Sequence, residues 1–288
     1  MNWICLGIVS ALLLGVYDVF RKVALRQNAV LPVLWLSTLA AALPFAILVG
    51  TGQVPAGGAH VQALILAKSF IVALSWVLEF FAMKHLPISV AVPVRASQPV
   101  FTLFGAVAIF GERLTAGRWA GLSLAIFSYF YFAFSGRRDG PRFRINVWMV
   151  CAFGAAFIGA CSSLYDKFLL NRCRLNPLTV QSWYTLYIAA LLSAVIVFMW
   201  FPRRARTTRF SWRWSIPCIG LCLAASDALY FHALRDPGAL IAMLTTIRRA
   251  NVVISFACGA FLFGETNLRP KAVALVGILA GVVVMTLS

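Results

Sequence analysis

Three arginines, Arg95, Arg248 and Arg249, stand inside long apolar stretches, about seven and ten residues from where those stretches begin. At about 1.5 Å per residue that is roughly 10 to 15 Å along a helix. A charge at such a depth in a bilayer costs about 3 kcal/mol or more, and a chain accepts it where the charge faces a cavity. The guanidinium stays ionised, and its planar fork matches a carboxylate or a phosphate. Four acids, Asp18, Glu79, Asp166 and Asp227, also lie in apolar stretches. They either neutralise the arginines as structural pairs, or tune a cationic cluster and switch partners as a carrier moves. A third duty is proton coupling, common for carboxylates inside membranes. Tyr17, Tyr165 and Tyr230 offer hydroxyls to a substrate, or pack at an interface. Arg21 and Lys22 fit either a loop or the site.

Other chemistries find no footing in the sequence. No phosphate-binding loop of the Walker type occurs, so ATP is not the energy source. No nucleophile elbow occurs. The three histidines, His60, His85 and His232, have no metal-ligand spacing, and His232 reads as a capping or pore-lining residue. Seven cysteines lie largely in apolar runs and read as small packing residues. The expectation is no enzyme, no metal and no cofactor.

The elements that must position these charges are membrane helices. The chain has 288 residues, 62% hydrophobic and 11% charged, far from the balance of a soluble domain. Its net charge of +17 sits mostly between apolar stretches, which argues against a nucleic-acid surface. Ten apolar segments fall near 2–21, 31–50, 62–84, 88–110, 117–135, 146–169, 177–200, 214–234, 238–263 and 270–287. Ten spans of about 20 residues leave no room for a soluble domain. The first segment lacks a cationic lead and reads as a spanning helix rather than a signal peptide. Tryptophans such as Trp119, Trp148, Trp212 and Trp214 fall near segment ends, as in an interfacial belt. Pro93 and Pro99 bracket Arg95 and bend the fourth segment.

The chain repeats itself. Phe110-Gly111-Glu112 returns as Phe263-Gly264-Glu265, an offset of 153 that also lays Arg95 on Arg248. Tyr17-Asp18 returns as Tyr165-Asp166 at an offset of 148. The organisation expected is a five-helix half over 1–136, a basic loop over 137–144 and a second half over 145–288. Five is odd, so the second half is inverted, and its usual consequence is a site at mid-membrane between the halves. Lys and Arg number fifteen on the side of the loops after segments one, three, five, seven and nine, against seven opposite. The positive-inside rule then puts both termini outside.

These residues carry a resemblance. Pro99-Val100-Phe101, followed by Phe110-Gly111-Glu112-Arg113-Leu114-Thr115, is similar to the repeat signature of the drug/metabolite transporter superfamily, EamA type. The resemblance covers the whole chain and implies ten transmembrane helices as two inverted five-helix repeats. A narrower likeness joins Arg95-Ala96-Ser97-Gln98-Pro99, and Arg248-Arg249 with Val252-Val253-Ile254-Ser255, to triose-phosphate/phosphate translocators. There the matching cations hold the substrate phosphate, which implies that role for Arg95, Arg248 and Arg249. Two of the three matching cations are Lys in those translocators, and their helix-eight tyrosine has only Tyr230 near its place. That family keeps both termini in the cytoplasm, opposite to the charge count here.

The reading is an all-α, multi-pass protein of the inner cell membrane: a secondary transporter of a small, phosphorylated organic anion, working by exchange. Its partners are the anionic metabolite and the lipid bilayer, with no nucleic acid. The alternatives are a proton-coupled exporter of amino acids or related metabolites, and a flippase of a lipid-linked, phosphate-bearing substrate. Gly117-x-x-x-Gly121 and Gly277-x-x-x-Gly281 mark either a homodimer face or close packing within one chain.

Overall fold

The computed structural model describes residues 3–25, 28–85, 97–135, 147–206, 208–251, 253–254 and 268–287. Among these residues the regular structure is helical. In chain order the α-helices are α1 (Trp3–Leu25), α2 (Val30–Gly50), α3 (Ala59–His85), α4 (Gln98–Phe110), α5 (Ala116–Ser135), α6 (Val147–Lys167), α7 (Pro177–Val195), α8 (Ser215–Leu234), α9 (Ile241–Arg249) and α10 (Leu268–Leu287). A π-helical turn, Phe168–Arg172, continues α6, and another, Ile196–Trp200, continues α7.

Six helical stretches are long and apolar enough to cross a membrane: Trp3–Leu25, Val30–Gly50, Ala59–Glu79, Val147–Arg172, Pro177–Arg204 and Ser215–Leu234. Twenty helical residues span about 30 Å, the depth of the hydrocarbon layer. Phe104, Phe127 and Phe198 are each about 70% exposed or more on the outer surface (69%, 73% and 78%). Apolar exposure on that scale suits lipid tails rather than water.

Local chemistry places the helix ends. Pro177 opens α7 behind Asn176, whose side chain accepts from the Leu178 N–H at 2.9 Å. Gly111 closes α4 in the left-handed region at φ 61°, which a β-carbon would strain. Helix α1 runs four residues past the expected end at 21, since no Gly or Pro interrupts residues 16–25, and so Arg21 is helical. Asn28 then ties the turn to the segment before α8: it donates to Ser211 O at 2.7 Å and accepts from Ser211 N at 2.9 Å.

The helices pair across the chain. Helix α1 packs on α8 and α9, α2 on α7 and α8, α3 on α6 and α7, α4 on α6, and α5 on α10. Hydroxyl groups stitch these pairs: Ser10 and Ser226 each donate to the other's backbone carbonyl at 2.9 Å, and Ser75 donates to Ala155 O at 2.9 Å. The glycine motifs act within the chain. A β-carbon on Gly281 of α10 would meet Gly121 O of α5 at 2.7 Å and Ala125 N at 2.6 Å.

The structure corrects two placements. Lys68 and Lys167, counted with the loops by charge, are buried helical residues of α3 and α6. Glu112, just past the end of α4, is also buried (7% exposed). An ionic group can leave water only with a partner, and each of these has one. Lys167 Nζ donates to Glu112 Oε1 at 2.6 Å and to Ala239 O at 3.1 Å. Glu112 accepts from Ile241 N at 2.7 Å and from Ala242 N at 3.5 Å, serving the start of α9, where Leu240 provides no side-chain acceptor. The linker 137–144 and Glu265 lie outside the described residues.

Candidate functional site

A cavity of about 230 Å³ lies among the helices. Helices α3, α4, α6, α7, α8 and α9 line it. Its polar wall holds Lys68 and Glu79 from α3, Gln98 from α4, Asp166 from α6, Asp227 from α8, and Arg248 and Arg249 from α9. Tyr184, Tyr230, Phe231 and Trp76 supply aromatic surface.

The charges are paired. Arg248 Nη2 donates to Asp227 Oδ1 at 2.7 Å and to Ser226 Oγ at 3.4 Å. Its guanidinium carbon lies 4.3 Å from the centre of the Tyr230 ring, an arrangement in which the ring's negative face meets the cation. Arg248 Nε is buried and has no hydrogen-bond partner among the described residues. Arg249 Nη2 donates to Gln98 Oε1. Lys68 Nζ forms an ion pair with Asp166 Oδ1 and lies 4.6 Å from the centre of Tyr184 and 5.3 Å from that of Phe231. Both members of that pair are almost wholly buried, and Asp227 and Arg248 act on Asp166 from α8 and α9.

Most of the residues singled out in the sequence meet here. Arg248, Arg249, Tyr230, Glu79, Asp166 and Asp227 all line the cavity. Three others, Tyr165, Tyr17 and Asp18, are placed elsewhere. Tyr165 donates its hydroxyl to Leu64 O at 3.2 Å and stacks its ring on Phe168 at 5.7 Å, so it serves packing between α6 and α3. Tyr17 faces a small crevice on the other side of α1, with Arg21, Leu34 and Ser37. Asp18 accepts from Asn251 Nδ2 at 2.6 Å, at the end of α9. Lys22 is on α1, with its side chain outside the described residues, and Arg95 lies outside them altogether. His232 is exposed and bonds to Ala228 O one turn back. Among the described residues no group of His, Cys, Asp and Glu is arranged to hold a metal ion.

Lys68 is the site residue that the sequence reading missed. It follows eight residues of an apolar segment opened by His60, close enough to the end to count as interfacial. A partner 98 residues away, Asp166, is what draws it inward. The available signal was the run around Lys68 itself, Ala-Leu-Ile-Leu-Ala before it and Ser-Phe-Ile-Val-Ala after it, which leaves no polar stretch for a loop.

Comparison with known proteins bears on both the fold and the site. A crystal structure described only as that of a protein superposes with a TM-score of 0.74 at 19% identity, covering 99% of this chain and 96% of that one. At that identity the likeness shows a shared fold. No curated protein matches the chain in sequence. Residues 1–134, the stretch that carries Lys68, Glu79 and Gln98 to the cavity, match the model of the EamA-like transporter family. Over that stretch the chain is similar to the drug/metabolite transporters, and with its six long apolar helices it is a multi-pass membrane protein.

Proposed function

We propose that the chain is a secondary transporter of the inner cell membrane that moves a small organic anion, phosphate- or carboxylate-bearing, by alternating access. The observation that carries this is Arg248: a guanidinium on the cavity wall, its side chain 17% exposed, that meets Asp227 through one nitrogen, Nη2. A guanidinium holds five donors in a fork that suits phosphate or carboxylate, and an anion entering the cavity meets the face that Asp227 leaves. Arg249 stands beside it, and Arg95 is its counterpart at the 153-residue offset. A cavity of about 230 Å³ suits a small metabolite better than a lipid-linked sugar, since drug-sized ligands take about 300 Å³ or more.

Helix pairing supports two inverted halves, 1–136 and 145–288. With α1 equivalent to α6 and α3 to α8, the packing of α1 on α8 has its mate in α6 on α3. Likewise α4 on α6 has its mate in α9 on α1, and α2 on α8 has its mate in α7 on α3. The offset of 148 that joins Asp18 to Asp166 also joins Glu79 to Asp227. A carrier of this kind works by rocking the halves about the site between them.

The test is uptake into liposomes holding the purified protein, at equal pH, of labelled inorganic phosphate and glycerol 3-phosphate, with phosphate or nothing inside. The expected result is protein-dependent uptake that Arg248→Gln lowers at least tenfold. Equal uptake by Arg248→Gln and the parent overturns the assignment of the site. A second reading is favoured by the three acids that share the wall, Glu79, Asp166 and Asp227. It is proton-coupled export of amino acids, and movement of labelled amino acid under a pH gradient alone distinguishes it.

A further inference from the structure

Among the described residues two lysines are buried, and they are held differently. Lys167 uses two of its three donors on protein acceptors, Glu112 Oε1 at 2.6 Å and Ala239 O at 3.1 Å, and does not line the cavity. That is a fixed, structural ammonium. Lys68 has one acceptor, the Asp166 carboxylate, and both line the cavity. Asp166 in turn has Lys68 as its hydrogen-bond donor. The aromatic faces of Tyr184 and Phe231 complete the surroundings of Nζ. An ammonium on a flexible four-carbon stem, held by one carboxylate at a cavity wall, can be let go.

The two cavity ion pairs also differ in where their members come from. Asp227 and Arg248 belong to α8 and α9, both in the second half. Lys68 comes from α3 in the first half and Asp166 from α6 in the second, so this pair joins the two halves at the cavity wall. An unpaired carboxylate there would oppose every passage of the empty site through the closed, dehydrated state.

We propose that Lys68 is the carrier's built-in counter-cation: it neutralises Asp166 in the empty site and so lets the empty carrier change sides. The proposal rests on the alternating-access reading and adds to it the mode of transport. With Lys68 in place the unloaded carrier returns by itself, and net movement of substrate accompanies exchange. Removing Lys68 restricts the return to carriers that hold a cation.

The experiment needs no substrate. The seven cysteines are replaced by serine, Ser162, on the cavity wall of α6, is replaced by cysteine, and the protein is placed in liposomes in one orientation. A membrane-impermeant maleimide is then applied from outside or from within. The parent is expected to react from both faces. Lys68→Gln is expected to react from one face, with the rate from the other reduced at least tenfold. Lys68→Gln/Asp166→Asn, which removes both charges, is expected to regain two-sided reaction. Asp166→Asn alone leaves Lys68 without its partner and is expected to be one-sided, which provides a second route should Lys68→Gln fold poorly. Two-sided reaction in either single variant, or one-sided reaction in the double variant, overturns the proposal while alternating access stands. One-sided reaction in the parent overturns alternating access itself, and the proposal with it.

Discussion

Glu112 illustrates how one side chain can serve several elements. Its carboxylate, just past the end of α4, receives Lys167 from α6 and the first N–H groups of α9, the helix that carries Arg248 and Arg249. Removing one partner of a buried pair costs about 3 to 5 kcal/mol, because the other charge is left stranded. Glu112→Gln is therefore expected to lower stability by about 3 kcal/mol. Thermal unfolding of the purified protein measures it, with Arg113→Gln, at an exposed neighbour, as the unaffected control. A change equal in both variants would deny Glu112 this role. Site residues and structural residues look alike in sequence at this scale. Tyr17, Tyr165 and Tyr230 are all tyrosines in apolar helices, yet only Tyr230 lines the cavity, because only packing decides which face of a helix meets it.

Among the elements, α5 and α10 show what the small-residue motifs do. A side chain at Gly281 would run into the backbone of α5 at Gly121 and Ala125. Gly281→Val is expected to force the two helices apart and destabilise the protein, by about 2 kcal/mol on the scale of overpacked cores. Its oligomeric state is expected not to change. Thermal unfolding together with size-exclusion chromatography separates this from a dimer face, for which the effects would be the reverse. The helix boundaries were largely legible. Seven of the ten predicted segments both start and stop within a few residues of the observed helices, because Gly, Pro and Asn act locally through backbone geometry. The extension of α1 to Leu25 was less legible, since its end depends on Asn28 bonding to Ser211, 183 residues away.

For the whole molecule, the distribution of charge sets the orientation. Burial of Lys68 and Lys167 removes two cations from the sparser side and leaves five there against fifteen opposite, so the asymmetry is larger than the sequence count. The basic side is expected to face the cytoplasm and both termini the outside. A single cysteine appended after Ser288 in the cysteine-free protein should then react with impermeant maleimide added to intact cells; protection until the cells are broken would reverse the orientation.

The sequence by itself determined that the chain lives in a membrane and that Arg248, Arg249, Asp166 and Asp227 face something other than lipid. Those conclusions follow from transfer energies, which depend on residue type and on the length of an apolar run, both written in the chain. The tertiary structure alone decided which charges are paired, and with what. Lys68 with Asp166, Lys167 with Glu112 and Arg248 with Asp227 are separated by 98, 55 and 21 residues. No local rule links positions so far apart. An ion pair depends on a few ångströms of separation and on exclusion of water, and both arise only when the helices pack.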